Sequence, residues 1–191
     1  MVFLNVPNVV TLSRIILIPL IIGIYYLPED WLAVDRRNVA ATAVFVLAAV
    51  TDWLDGYLAR RLNQMSAFGA FLDPVADKLI VTGALIILVQ LGRVEALVAL
   101  IVIGREIAIS ALREWMAKVG KSKSVAVAFI GKAKTLTQMV AIPLLLYHDP
   151  LFETIDCQWL GTVLINAAAV LTVASMLYYM RKALPHASLP G

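Results

Sequence analysis

Residues 51–78 read TDWLDGYLARRLNQMSAFGAFLDPVADK, and four of them are aspartates: Asp52, Asp55, Asp73 and Asp77. A helix running through Arg60 turns about 100° per residue, which puts Asp52, Asp55, Gly56 and Ala59 on one stripe. A second helix puts Gly69, Asp73, Ala76 and Asp77 on a comparable stripe. Each stripe alternates carboxylates with residues that have little or no side chain, so backbones or ligands can approach closely. A short connection makes the two helices antiparallel neighbours. With Arg60, Arg61 and Gly69 at their common end, Asp55 and Asp73 lie roughly 6–8 Å inward and Asp52 and Asp77 roughly 12 Å inward. The spacing predicts two facing pairs at matched depth. Pro74 removes one backbone hydrogen bond and biases Asp73 away from helical geometry, so the second helix is open to a kink there.

Outward from this stretch the chain is strongly apolar. Of 191 residues 61% are hydrophobic and 15% charged, where a soluble domain has about half and about a quarter. Five stretches are long enough to cross a hydrocarbon core of about 30 Å: Val9–Leu27, Val39–Leu58, Phe68–Leu91, Ala96–Met116 and Trp159–Met180. A sixth, Val127–Tyr147, is interrupted by Lys132 and Lys134. The expectation is an all-α integral membrane protein, one domain over residues 1–191, with six transmembrane helices. The first span has no charged segment before it and no small-residue cleavage site after it, so it reads as retained rather than as a signal peptide. Cys157 is alone, which excludes a disulfide within the chain. With only His148 and His186, a histidine-based zinc or copper site is disfavoured. No nucleic-acid partner is expected.

Basic residues set the orientation. With the N-terminus inside, Arg60, Arg61, Lys118, Lys121, Lys123, Lys132, Lys134, Arg181 and Lys182 all fall on the cytoplasmic side. The opposite loops carry Arg36, Arg37 and Arg93 against seven acidic residues, from Glu29 to Asp156. The pattern is N-in and C-in. The basic face would attract anionic headgroups, although for most of these lysines setting topology is reason enough.

Four aspartates cannot stay ionised together in such a setting without cations. One aspartate at a helix centre costs about 2.5–3.5 kcal/mol on insertion scales, and neighbouring carboxylates make matters worse. Divalent ions resolve both problems. All-oxygen ligation selects hard ions such as Mg²⁺, Mn²⁺ or Ca²⁺, and two of them balance four carboxylates. A paired-metal site suits attack at phosphorus. The competing reading is salt bridging between helices through Arg60, Arg61 and Lys78.

The pattern D-x2-D-G-x2-A-R-x8-G-x3-D-x3-D is matched by Asp52, Asp55, Gly56, Ala59, Arg60, Gly69, Asp73 and Asp77. It resembles the signature of the CDP-alcohol phosphatidyltransferase family. NVPNVVTLSRIILIP (5–19), DPVADK (73–78), REWMA (113–117) and GKAKTLTQM (131–139) look like the bacterial members that accept glycerol phosphate. The likeness runs through Met139, and the last span matches only in hydropathy.

That resemblance implies a six-helix fold with a site open to the cytoplasmic leaflet, in a bacterial cytoplasmic membrane. It implies two divalent cations, Mg²⁺ or Mn²⁺, on Asp52, Asp55 and Asp73 and shared with Asp77, which also acts as the base. Gly56, Ala59 and Gly69 would leave room for the CDP moiety, and Arg60 would hold it. The implied reaction moves the phosphatidyl group of CDP-diacylglycerol to sn-glycerol 3-phosphate, releasing CMP. Homodimers are common in the family. Asn8, Thr11 and Arg14 recur in the N-terminal stretch, where they contact the diphosphate or brace the metal ligands; alternatively, Asn8 or Thr11 caps the first helix.

A dianionic acceptor requires cations of its own. Arg105, Arg113, Lys132 and Lys134 are the candidates, with Arg113 and Lys132 the stronger pair. Arg105 and Glu106 interrupt a long apolar run, LVALIVIGREIAISAL, so they face protein or water rather than lipid. Arginine's planar fork matches phosphate oxygens, and lysine adds a flexible charge. Against this, Arg105–Glu106 and Arg113–Glu114 can be internal ion pairs, and Lys132 and Lys134 can snorkel to the interface. The tryptophans Trp53, Trp115 and Trp159, with Tyr178 and Tyr179, read as interfacial aromatics, and Cys157 as an incidental outer-loop residue. Within the family, serine, inositol phosphate or phosphatidylglycerol are alternative acceptors. A divalent-ion transporter is the reading from a different class, and an aspartate-rich prenyltransferase leaves the G-x2-A-R spacing unexplained. A transporter would need a polar path beyond the aspartates, where residues such as Leu47 and Val81 stand instead.

Overall fold

A computed structural model describes residues 6–62, 67–118, 129–152 and 154–183; within the helices, the side chains of 6–8, 10, 53–62, 67, 68, 70, 129–132, 182 and 183 are outside the description. Six helices follow one another: α1 (Val6–Tyr26), α2 (Val34–Leu62), α3 (Ala67–Gln90), α4 (Ala96–Lys118), α5 (Phe129–Tyr147) and α6 (Cys157–Ala183). Among the described residues there is no β-strand, only an isolated bridge between Leu151 and Ile155. The helices coincide with the six apolar stretches, extended by a few residues at the charged ends. α3 continues as a helix through Pro74.

The packing order differs from the chain order. α1 lies against both α2 and α3, whereas α2 and α3 make few contacts with each other among the described residues. The short connection does make them sequence neighbours, but the first helix fills the space between them. α5 packs most extensively on α6, α4 packs on α6, and α2 reaches α5. Close approach relies on missing side chains. A Cβ at Gly161 would lie 2.7 Å from Leu145 Cγ, and one at Gly83 would lie 2.9 Å from Ile18 Cγ2.

The interior joins small residues (Ala41, Ala48, Ala84, Ala99, Ala141) to Ile21, Phe45, Leu85, Leu88, Ile142 and Leu145 in one cluster. Large apolar side chains also cover the outside: Ile16, Leu100, Ile107, Leu136 and Val170 are all exposed. A water-facing surface rarely carries so much contiguous hydrocarbon. Among the described residues, Cys157–Arg181, with mean hydropathy 2.0, is long and apolar enough to cross a membrane, and Thr11–Tyr26 is a shorter apolar helix.

The end of the bundle remote from the aspartates is closed by polar clasps. The turn that ends α3 places Gly92 at a φ of 68°, which suits glycine. The Arg93 N–H donates to Leu88 O and the Gly92 N–H to Val89 O, at 2.9 and 3.0 Å, a Schellman end. Arg93 is itself buried. Its Nη1 donates to Leu145 O and Leu146 O at 3.0 and 2.8 Å, and its Nη2 to Asn38 Oδ1 at 2.8 Å. It thereby supplies partners for carbonyls in the last turn of α5. Burial lowers the Arg93 pKa from the ordinary arginine value, opposed by its interaction with Tyr25. Asp156 caps α6, accepting from the Trp159 N–H at 2.8 Å. Cys157 is buried as the first residue of that helix, not an outer-loop residue as its flanking sequence suggests.

Candidate functional site

Three of the four aspartates converge on one arginine from α1. Arg14 Nη1 donates to Asp52 Oδ1 at 2.6 Å and to Asp77 Oδ1 at 2.7 Å, and Nη2 donates to Asp73 Oδ1 at 3.1 Å. Thr11, one turn earlier, donates through Oγ1 to the same Asp73 oxygen at 2.6 Å. The Asp52 and Asp77 side chains thus meet as the helical spacing predicts, with an α1 side chain bonded to both. Asp55, Gly56, Ala59 and Arg60 lie on α2, but their side chains are outside the described residues, as are those of Asn8 and Lys132. Gly69 is buried near the start of α3.

Exposure separates the two sides of this cluster. The Arg14 side chain is 2% exposed, while the side chains of Asp52, Asp73 and Asp77 are 39%, 45% and 44% exposed. The guanidinium lies behind the carboxylates, and their other side is open. Among the described residues, which leave out the Asp55 side chain, no three acidic, histidine or cysteine side chains stand together as a ready ligand set. The donor chemistry still fits a hard divalent ion: every group is a carboxylate with two oxygens, and the contacts to Arg14 and Thr11 fall on Oδ1.

The open side forms a cavity of about 440 Å³. Asp52, Asp77 and Lys78 line one wall; Arg105, Glu106, Ser110 and Arg113 of α4 line another; Thr135 and Gln138 of α5 complete it. Two predicted acceptor-side cations therefore share a cavity with two of the aspartates. Arg105 is buried and donates to Glu106 Oε1 at 3.2 Å and to Ser175 Oγ of α6 at 3.0 Å. Lys134 is buried and bonds to the same Glu106 oxygen, so it is turned to α4 and does not snorkel. Arg113 is exposed, with its guanidinium carbon 5.9 Å from the centre of the Tyr179 ring, within cation–π range. Glu114 pairs with Lys118 at 3.0 Å rather than with Arg113.

Sequence reasoning missed four contributors. Tyr179 reads as an interfacial aromatic but is fully buried beneath Arg113, while Tyr178 beside it is exposed. Ser175 carries no signal of its own among the small polar residues of α6. Gln138 and Thr135 were visible as polar residues inside an apolar span, a signal that the lysines overshadowed. Below the cavity, Ile109 also borders an apolar groove of about 320 Å³ between α4 and α6, lined by Leu112, Trp115, Met176 and Met180.

Comparison with known proteins gives a consistent answer. The sequence model of CDP-alcohol phosphatidyltransferase matches residues 4–176. A protein of Shigella flexneri serotype 5b (strain 8401), named CDP-diacylglycerol–glycerol-3-phosphate 3-phosphatidyltransferase, is 48% identical over 181 residues, 94% of each chain. The protein of that name from Escherichia coli (strain K12) is 48% identical over the same share of both chains.

Proposed function

Because this chain belongs to the CDP-alcohol phosphatidyltransferase family, we propose that it transfers the phosphatidyl group of CDP-diacylglycerol to sn-glycerol 3-phosphate, releasing CMP. The observation that carries this reading is the cavity in which Asp52 and Asp77 face Arg105 and Arg113. An anionic wall suited to cations and a cationic wall suited to a phosphate meet across one space. The names of the relatives from Shigella and Escherichia coli support the same pair of substrates.

Asp52, Asp55, Asp73 and Asp77 would hold two divalent cations, Mg²⁺ or Mn²⁺. Bound there, such ions supply charge stabilisation at the phosphoryl oxygens and the CMP leaving group. The protein's own residues do the rest. Asp77 takes the proton from the acceptor hydroxyl as it attacks phosphorus. Gly56, Ala59 and Gly69 leave space for the nucleotide, which Arg60 holds, with Asn8 and Thr11 at the diphosphate end. Arg113 and Lys132 grip the acceptor phosphate, Arg105 lends charge from the cavity wall, and Lys134 fixes Glu106. Holding acceptor and donor together in one orientation contributes much of the acceleration. The apolar groove beginning at Ile109 is suited to the hydrocarbon of the lipid donor.

We read the apolar exterior as that of six membrane-spanning helices; the distribution of basic residues supports N-in and C-in, with the cavity facing the cytoplasm of a bacterial cell. A transport function is disfavoured by what lies beyond the aspartates: Phe45, Ala48, Val81, Ala84 and Leu85 are buried there in one apolar cluster, with no polar path onward among the described residues. The decisive experiment gives the purified protein in detergent labelled CDP-diacylglycerol, Mg²⁺ or Mn²⁺, and each acceptor in turn. CMP release that depends on glycerol 3-phosphate is expected. Release with serine instead would overturn the acceptor assignment, and no release together with metal uptake in vesicles would favour transport.

A further inference from the structure

The geometry points to Arg14 as the positioning residue of the carboxylate site, a fixed cationic floor that sets the spacing of the aspartates from behind. The inference rests on the reading of those aspartates as divalent-cation ligands. Three observations carry it. The Arg14 side chain is 2% exposed while each aspartate side chain it touches is at least 39% exposed, so cations entering from the cavity meet the carboxylates first. Its two terminal nitrogens reach three carboxylates: Nη1 serves Asp52 and Asp77, and Nη2 serves Asp73. And α2 and α3 make few contacts with each other among the described residues, while α1 packs on both. One α1 side chain therefore ties the α2 carboxylate to both α3 carboxylates.

Arginine suits this task where lysine does not. Its rigid planar fork aims several N–H groups in separate directions, whereas an ammonium is a single point of charge on a flexible stem. The carboxylates repel one another, and only a multidentate cation can hold three of them at defined separations on one side while leaving the other side open.

Charge and position act in opposite directions here, which makes a test decisive. As a positive charge, Arg14 repels an incoming divalent ion, so its removal would tighten metal binding on Coulombic grounds alone. As a spacer it keeps the ligands in register, so its removal would loosen binding. Positioning is expected to win.

The test measures Mn²⁺ binding to the full-length protein in detergent by the electron paramagnetic resonance signal of the free ion, with Mn²⁺ alone as probe. Wild type, Arg14→Lys and Arg14→Gln are compared, with thermal melting followed in parallel. The expected result is Mn²⁺ binding weakened about tenfold or more in Arg14→Lys, which keeps the charge and loses the fork, at a melting temperature close to wild type. Arg14→Gln would be weaker still or fail to fold, and the lysine variant decides the matter in either case. Unchanged or tighter Mn²⁺ binding in a folded Arg14→Lys protein would overturn the inference and leave the metal site standing. Absence of Mn²⁺ binding to wild type would overturn the metal reading itself, and this inference with it.

Discussion

Asp52 of α2 and Asp77 of α3 accept hydrogen bonds from one and the same nitrogen, Arg14 Nη1, at 2.6 and 2.7 Å. Two carboxylates from different helices are thus held at one point while both stay open to the cavity. Of the two, Asp77 is assigned the proton transfer. Asp77→Asn keeps the shape and an oxygen ligand but loses the basic site. Turnover should fall by about 10²–10⁴-fold, with Mn²⁺ binding largely retained. Parallel CMP-release kinetics and metal titration check this, and a fully active variant would remove the assignment.

On the opposite wall Arg113 is the exposed cation. Its loss should act on the acceptor rather than on the lipid. Arg113→Ala is expected to raise the apparent KM for glycerol 3-phosphate by about 10–100-fold, the scale of one charged hydrogen bond. The KM for CDP-diacylglycerol should change little. Lys132→Ala should show the same selectivity, and unchanged kinetics in a folded variant would exclude that residue from the pocket.

Glu106 is shared by Arg105 and Lys134, so neutralising it leaves two buried cations against an amide. Glu106→Gln should cost about 3 kcal/mol of stability. Lys134→Met added to it should restore part of that loss, because the pair then disappears together. A double-mutant cycle on melting temperatures in detergent measures the coupling. Strict additivity would mean that the two side chains do not support each other.

The legible and illegible parts of this molecule divide on physical grounds. Helix positions followed from hydropathy, and the meeting of Asp52 with Asp77 from a 3.6-residue repeat, because both are local properties of the chain. The insertion of α1 between α2 and α3 is not local. A short connection suggests adjacency, and nothing in the apolar run of α1 says which helices it prefers. Thr11 and Arg14 are open to diphosphate contact or bracing of the aspartates, and Thr11 also to a helix cap; both bond to aspartates here. Tyr179 was misread because a tyrosine near a helix end serves equally at a lipid interface or under an arginine. Only the rotation of α6 separates the two, and a helix whose apolar residues are spread over every face gives little sign of its rotation.

Arg93, at the far end, makes a prediction of another kind. Its guanidinium joins carbonyls of Leu145 and Leu146 to the Asn38 side chain, well away from the aspartates. Arg93→Ala should lower the melting temperature by several degrees, since it leaves buried carbonyls without those donors. Substrate KM values measured well below the transition should stay as in wild type. A change in KM without a change in melting would contradict a purely structural clasp.

The walls of the 440 Å³ cavity also follow chain order: the aspartates come from α2 and α3, and the facing side, with Arg105 and Arg113 of α4, from α4 and α5. On the proposed reading, the earlier part of the sequence activates the lipid and the later part chooses what receives it. Substitutions in the later helices can then give a descendant a new head group while its chemistry of activation stays untouched. A family can diversify its lipids this way, one half of the chain inherited and the other free to vary.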